Sequence, residues 1–161
     1  MPLFHIHGLI ASVLASVGTG GSVFCCPPFS GRGFFDWMAE AHPTWYTAVP
    51  SMHQIILSRS SEQDSLINAN PLRFIRSSSS PLAPNIMSEL ETVFHAPVIE
   101  SYGMTEAAHQ MTSNHLPPGK RKATKAGFAA GPEVSVMDKN YNILENGKIG
   151  EIVIRGNNVT K

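Results

Sequence analysis

The run Glu100-Ser101-Tyr102-Gly103-Met104-Thr105-Glu106-Ala107-Ala108 holds the residue types from which a nucleotide phosphate site can be built. A short apolar strand signal, Pro97-Val98-Ile99, leads into a glycine turn and then into a threonine and a carboxylate at the mouth of a helical pattern. Free backbone N–H groups at such a mouth favour anions. The hydroxyl of Thr105 can donate to a phosphoryl oxygen, and Glu106 is a hard oxygen ligand suited to a Mg²⁺ that bridges phosphates. Tyr102 offers a flat face to a base. The plainer reading, a threonine cap starting a helix, fits Thr105 and Glu106 as a pair. It weakens once Tyr102 and Gly103 stand directly before them.

Such residues need a frame, and the pattern supplies one. Ile6, Leu9, Ile10, Val13, Leu14 and Val17 recur every three or four residues and predict a buried helix face, stopped at Gly18-Thr19-Gly20-Gly21. Ser22–Cys26 reads as a short apolar strand closed by Pro27-Pro28. Ser30 then caps a helix carrying Phe34, Phe35, Trp37, Met38 and Ala41. Trp45–Val49 is the next strand, Pro50 opens a helix, and Ser58–Ser65 is a polar loop. Arg73–Arg76 makes a strand ending in four serines, after which Pro84 opens a helix with Ile86, Leu90, Val93 and Phe94.

Strand, loop and helix thus alternate, which predicts an α/β fold with a parallel sheet and helices on its faces over residues 1–112. Ligands in such sheets sit beyond the carboxyl ends of the strands, where both the four serines and the Glu100 run fall. Over residues 113–161 the character changes to a Pro/Gly/Lys loop followed by alternating strands at Glu133–Met137 and Glu151–Arg155. These predict a small antiparallel or barrel-like β annex.

Composition bounds the function. The chain has 161 residues, 42% hydrophobic and 15% charged, enough for one domain with a real core. Twelve basic and twelve acidic side chains cancel, so no global field draws it to nucleic acid or to an anionic membrane. Lys120, Arg121, Lys122 and Lys125 cluster in one polar segment, read first as a solvated loop and secondarily as a contact for coenzyme A phosphates. Cys25 and Cys26 are adjacent and point to opposite sides of a strand, so they read as reduced core residues suited to a cytosolic or organelle-matrix setting. No run of about 18 apolar residues suggests a membrane span.

Three blocks in order, Pro2-Leu3-Phe4-His5-Ile6-His7-Gly8-Leu9, the Tyr102–Glu106 turn, and Gly150-Glu151-Ile152-Val153-Ile154-Arg155-Gly156, resemble the AMP-forming acyl-CoA synthetase family. That resemblance implies an acid–thiol ligase. It activates a carboxylate with ATP and Mg²⁺ to an acyl-adenylate, then passes the acyl group to coenzyme A. It implies Thr105 on the α-phosphate, Glu106 on Mg²⁺, and Tyr102, Gly103 and Met104 with Ser79 and Ser80 around the nucleotide. His5 would line the reaction centre and take part in catalysis with Thr105 and Glu106, and His7 would point to the acyl site. His109, three residues after Glu106, is expected to share its face and, with Ser79, to give the acyl pocket a polar end.

That polar end resembles the oxalate-activating branch, so a short polar acid is the expected substrate. Serines stand where the family has a glycine-rich segment at Ser77–Pro81, and Ala123-Thr124-Lys125-Ala126-Gly127 replaces its usual loop. The family's upstream phosphate loop, its ribose-binding aspartate and its C-terminal domain lie outside these residues. The chain is therefore expected to be part of a ligase's N-terminal domain, catalytically incomplete by itself and exposing a sheet edge and apolar surface. A cytoplasmic location is expected, with a peroxisomal one open for the parent protein. Rival readings are a non-catalytic truncated polypeptide that binds nucleotide or a partner, and a luciferase-type or aryl acid relative. His42, His53, His95 and His115 have no metal-ligand spacing and read as structural.

Overall fold

The computed structural model describes residues 1–160. The first helix, α1, is composite: Ile6–Gly8 are α-helical, Leu9–Leu14 take π geometry, and Ala15–Gly18 return to α. Then follow α2 (Gly31–Ala41), β1 (Trp45–Ala48), α3 (Pro50–Leu57), α4 (Asp64–Ala69), β2 (Phe74–Ser77), α5 (Pro84–Phe94) and β3 (Val98–Tyr102). β4 (Thr112–Ser113), β5 (Phe128–Ala129), β6 (Glu133–Met137) and β7 (Glu151–Arg155) complete the order.

Local chemistry sets these boundaries. The Ser30 side chain accepts from the Gly33 N–H at the start of α2, and Pro50 and Pro84 occupy the first turns of α3 and α5, where a missing N–H costs nothing. α2 and α5 both end on a histidine in the left-handed region, His42 (φ 45°) and His95 (φ 51°), in place of the usual glycine.

The main sheet runs β1-β2-β3-β4-β5, with β1, β2 and β3 parallel and β4 and β5 antiparallel. Strand register sorts its side chains. Tyr46, Ile75 and Val98 stand side by side on one face, where Phe34, Phe94, Met38, Ile56 and Leu90 meet them in the core. At about 1.5–3 kcal/mol for each fully buried large side chain, this face drives the fold. Trp45 with Phe74, and Thr47 with Arg76, pair on the other face, which is roofed by α1. β6 and β7 form a separate two-stranded antiparallel sheet, the antiparallel form of the expected annex.

Several expectations need correcting. Ser22–Cys26 is not a strand, because strand geometry needs a hydrogen-bonded neighbour and the sheet order gives it none among the described residues. Cys25 and Cys26 are consequently exposed rather than core. The polar stretch Ser58–Ser65 gives way to α4 from Asp64 onward. Its start has no side-chain cap and its one fully buried apolar residue is Ile67, so neither signal announced it. The helical pattern after Gly103 is a single 3₁₀ turn, Thr105–Ala107, ended by Ala108 in the left-handed region. None of the described helices is long and apolar enough to cross a membrane.

Candidate functional site

The serine quartet and the Tyr102–Glu106 turn leave the carboxyl ends of neighbouring parallel strands. Ser77 pairs in register with Glu100, and Ser78 Oγ donates to the Ser101 carbonyl at 3.0 Å, so the two segments lie side by side. Tyr102, Met104, Thr105 and Glu106 are exposed there, as are Ser79 and Ser80. Gly103 is required by the turn's own closure: a Cβ at this position would stand 1.2 Å from the His109 carbonyl oxygen. The turn is held shut by the His109 N–H, which donates to the Met104 carbonyl at 3.0 Å.

Beneath it, the Glu100 carboxylate is buried and bridges two loops. One oxygen accepts from the Leu82 N–H, after the serines, and the other from the Thr124 N–H in the lysine-rich loop, both at 3.2 Å. Charge-assisted bonds of this kind are the stronger class. Glu100 therefore fixes the serine loop and the basic loop against the strand that carries the turn.

Next to this exposed floor lies a buried polar cluster. His7, fully buried, bonds Ser79 Oγ through Nδ1 at 3.0 Å and Thr47 Oγ1 through Nε2 at 2.6 Å. Its ring centroid lies 5.2 Å from that of His109, itself 2% exposed. Burial first, then the nearby Arg76 cation, lowers the His7 pKa to about 3 and the His109 pKa to about 4. Both rings are therefore neutral at pH 7. A neutral ring has one donor and one acceptor, so one of the two hydroxyls beside His7 donates to it and the other accepts.

Arg76 is the cluster's single cation and is 8% exposed. Its Nη2 donates to Gln110 Oε1 at 3.0 Å and approaches His109 Nδ1 at 3.4 Å, while its buried Nη1 has no partner. Neither ion pair among the described residues involves it. Burial lowers its pKa to about 10, which leaves it protonated at neutral pH. A buried guanidinium with an unused N–H face and no carboxylate is poised for an anion from outside the protein.

The structure brings Ser79, His7 and His109 together, but by a route other than the one expected. His109 does not share the face of Glu106, because left-handed Ala108 (φ 48°) and His109 (φ 76°) turn the chain inward after one 3₁₀ turn. Glu106 stays exposed while His109 packs against Arg76 and His7. His5 is exposed and its Nδ1 accepts from the His7 N–H at 3.3 Å, so in this structure it caps α1.

Among the described residues no group of three or more His, Cys, Asp and Glu is arranged to hold a metal. A Mg²⁺ at Glu106 would thus need phosphate oxygens for most of its shell, which is how this ion is commonly held with nucleotides. Sequence reasoning missed Arg76, Thr47, Gln110 and the bridging role of Glu100. The available signal was an arginine at the carboxyl end of the strand pattern, between Ile75 and the serines.

A profile of the family described as AMP-binding enzyme matches residues 1–161. The chain is 47% identical over 163 residues to the oxalate–CoA ligase of Saccharomyces cerevisiae, covering 99% of this chain and 29% of that protein. It is 46% identical to the oxalate–CoA ligase of Arabidopsis thaliana, covering 100% of this chain and 32% of the relative. A sulfoacetate–CoA ligase of Cupriavidus necator is 34% identical across 99% of the chain, which covers 30% of that protein. Among solved structures, ATP-bound MatB from Rhodopseudomonas palustris superposes with a TM-score of 0.88 at 29% identity, covering all of this chain and 31% of that one. The chain thus spans about a third of the length of these relatives.

Proposed function

The chain belongs to the AMP-binding enzyme family, and from that premise we propose that it supplies the acyl pocket and part of the nucleotide site of an ATP-dependent acid–CoA ligase. The substrate class is a short acid bearing a second anionic group. The single observation that carries this reading is the buried Arg76 guanidinium, whose Nη1 has no protein partner, in one polar cluster with His109, His7 and Ser79. An acid ending in an apolar chain would leave that cation unmatched. Oxalate would meet it with its second carboxylate, and the relatives named for oxalate and sulfoacetate both act on doubly anionic acids.

The residues then divide the work. Thr105 would donate to the α-phosphate, Tyr102 and the backbone at Ser79, Ser80, Gly103 and Met104 would hold the adenylate, neutral His7, with both ring nitrogens engaged, would orient Ser79 Oγ at the acyl site, and neutral His109 would hydrogen-bond the acid without adding charge. His5, at the exposed head of α1, would border the reacting carboxylate. Mg²⁺ at Glu106 would neutralise phosphate charge as that carboxylate attacks. Coenzyme A is the acyl acceptor. The share of the relatives' length that the chain spans supports reading it as one portion of such a ligase, inactive by itself.

Two measurements test this. Calorimetry should detect AMP binding to the 161-residue chain. In the full-length protein, ATP-dependent pyrophosphate release should favour oxalate over acetate by about 10–100-fold, the worth of one charge-assisted hydrogen bond of about 1.5–3 kcal/mol. Arg76→Gln should erase that preference, and equal turnover of the two acids by the unaltered protein would refute the assignment.

A further inference from the structure

β7, which carries the third sequence block, is followed at Gly156 by a turn in which the Val159 N–H donates to the Gly156 carbonyl at 3.2 Å. A Cβ at Gly156 would stand 2.8 Å from Asn158 Oδ1 and 3.0 Å from Pro132, so the glycine leaves the room that the Asn158 amide occupies. From this turn the half-buried Asn158 reaches back to the main sheet. Its Nδ2 donates to the Ala107 carbonyl at 2.7 Å and to the Gln110 carbonyl at 3.2 Å. The amide nitrogen must face them, since its oxygen there would set three acceptors together. Two residues on, the Thr160 N–H donates to the Glu106 carbonyl at 2.8 Å.

Ala107 and Gln110 bracket the two left-handed residues, Ala108 (φ 48°) and His109 (φ 76°), that turn the chain inward. Alanine has no side chain to hydrogen-bond locally, and such a backbone persists only where its surroundings hold it. Asn158 supplies one bond on each side of the reversal. Gln110 passes the restraint on, its side-chain Oε1 accepting from Arg76 Nη2 at 3.0 Å.

We propose that Asn158 is a positioning residue: its amide clamps the Ala108–His109 reversal, and so holds the His109 ring and the Gln110 side chain in the polar cluster that receives the acid. The β6–β7 sheet thereby acts on the site without touching substrate. Thr160 anchors Glu106 separately, so loss of the Asn158 amide loosens His109 more than Glu106. The kinetic consequence rests on the ligase reading above, whereas the restraint on the turn does not.

Amide hydrogen exchange followed by NMR in the 161-residue chain reads the turn directly. The His109 N–H, bonded to the Met104 carbonyl at 3.0 Å, should exchange at least about tenfold faster in Asn158→Ala as local opening becomes easier, while the amides of β2 and β3 keep their protection. In the full-length protein, Asn158→Ala should raise the KM for oxalate about tenfold and leave the KM for ATP within about threefold, since the acid meets His109 and the nucleotide meets the separately anchored Glu106 turn. A residue that only stabilises the fold would lower the active fraction, and so kcat, and move neither KM. Unchanged exchange at His109, or a fall in kcat with both KM values unmoved, overturns the assignment. If Asn158→Ala does not fold, Asn158→Asp decides, because it keeps the volume and removes both N–H groups: faster exchange at His109 supports the clamp and native exchange overturns it. If exchange quickens but the unaltered full-length protein releases no pyrophosphate with any acid, the clamp stands and the ligase reading falls.

Discussion

Replacing Arg76 with methionine separates a cation kept for binding from one kept for folding. Burial lowers its pKa from the usual arginine value to about 10. At about 1.4 kcal/mol for each tenfold in acidity, holding it charged costs the fold on the order of 3 kcal/mol. Both folded and unfolded states are protonated at pH 7, so the whole penalty is present there, and it is relieved only as pH rises above about 10. Against it stands one good hydrogen bond, to Gln110 at 3.0 Å, worth about 1.5–3 kcal/mol. The 3.4 Å approach to His109 adds little. Gln110 is only half-buried and can recover water, so the net change is between zero and about 1.5 kcal/mol in favour of the methionine variant, as when buried ionic groups give way to apolar ones of similar volume.

Thermal melts should therefore show Arg76→Met at least as stable as the unaltered chain, with Tm raised by up to about 6 °C for a domain of this size. Removing the cation should also raise the depressed pKa of His109, readable from its imidazole NMR resonances across pH 3–7. A loss of 2 kcal/mol or more, or a His109 titration that does not move, would refute the reasoning.

Glu106→Gln should leave stability within about 0.5 kcal/mol because the side chain is exposed, while the Mg²⁺-dependent part of ATP binding, measured by calorimetry with and without the ion, disappears. Gly103→Ala drives a Cβ into the His109 backbone, where no side chain can yield. It should cost at least about 2 kcal/mol in urea unfolding, toward the upper end for overpacking, and abolish AMP binding. Burial lowers the His53 pKa from 6.5 to about 4, so its contribution is fully present above pH 6.5 and lost as pH falls toward 4. Urea melts should show about 1.4 kcal/mol less stability from this group at pH 5.5 than at 7.5, and His53→Leu should flatten that part of the profile.

Apart from α4, whose start carries no capping signal, the helix and turn boundaries set by neighbours along the chain were legible in the residues alone. Ser30 as a cap, Pro50 and Pro84 as helix openers, the apolar spacing of α2 and α5, and the strand-to-turn passage into Tyr102–Glu106 are local choices, and the folded chain keeps them. The alternation that implied parallel strands is likewise a matter of order. Tertiary structure decided what depends on groups distant in the chain. Ser22–Cys26 has strand composition but no strand to pair with. His109 is spaced to follow Glu106 on a helix face, yet two left-handed residues turn it inward to a cation 33 positions away. Arg76 looked like an ordinary strand residue until register set it beside Thr47, under α1 and opposite Gln110. Hydrogen-bond partners and dielectric surroundings are properties of enclosure, and enclosure exists only after distant segments have closed around a side chain.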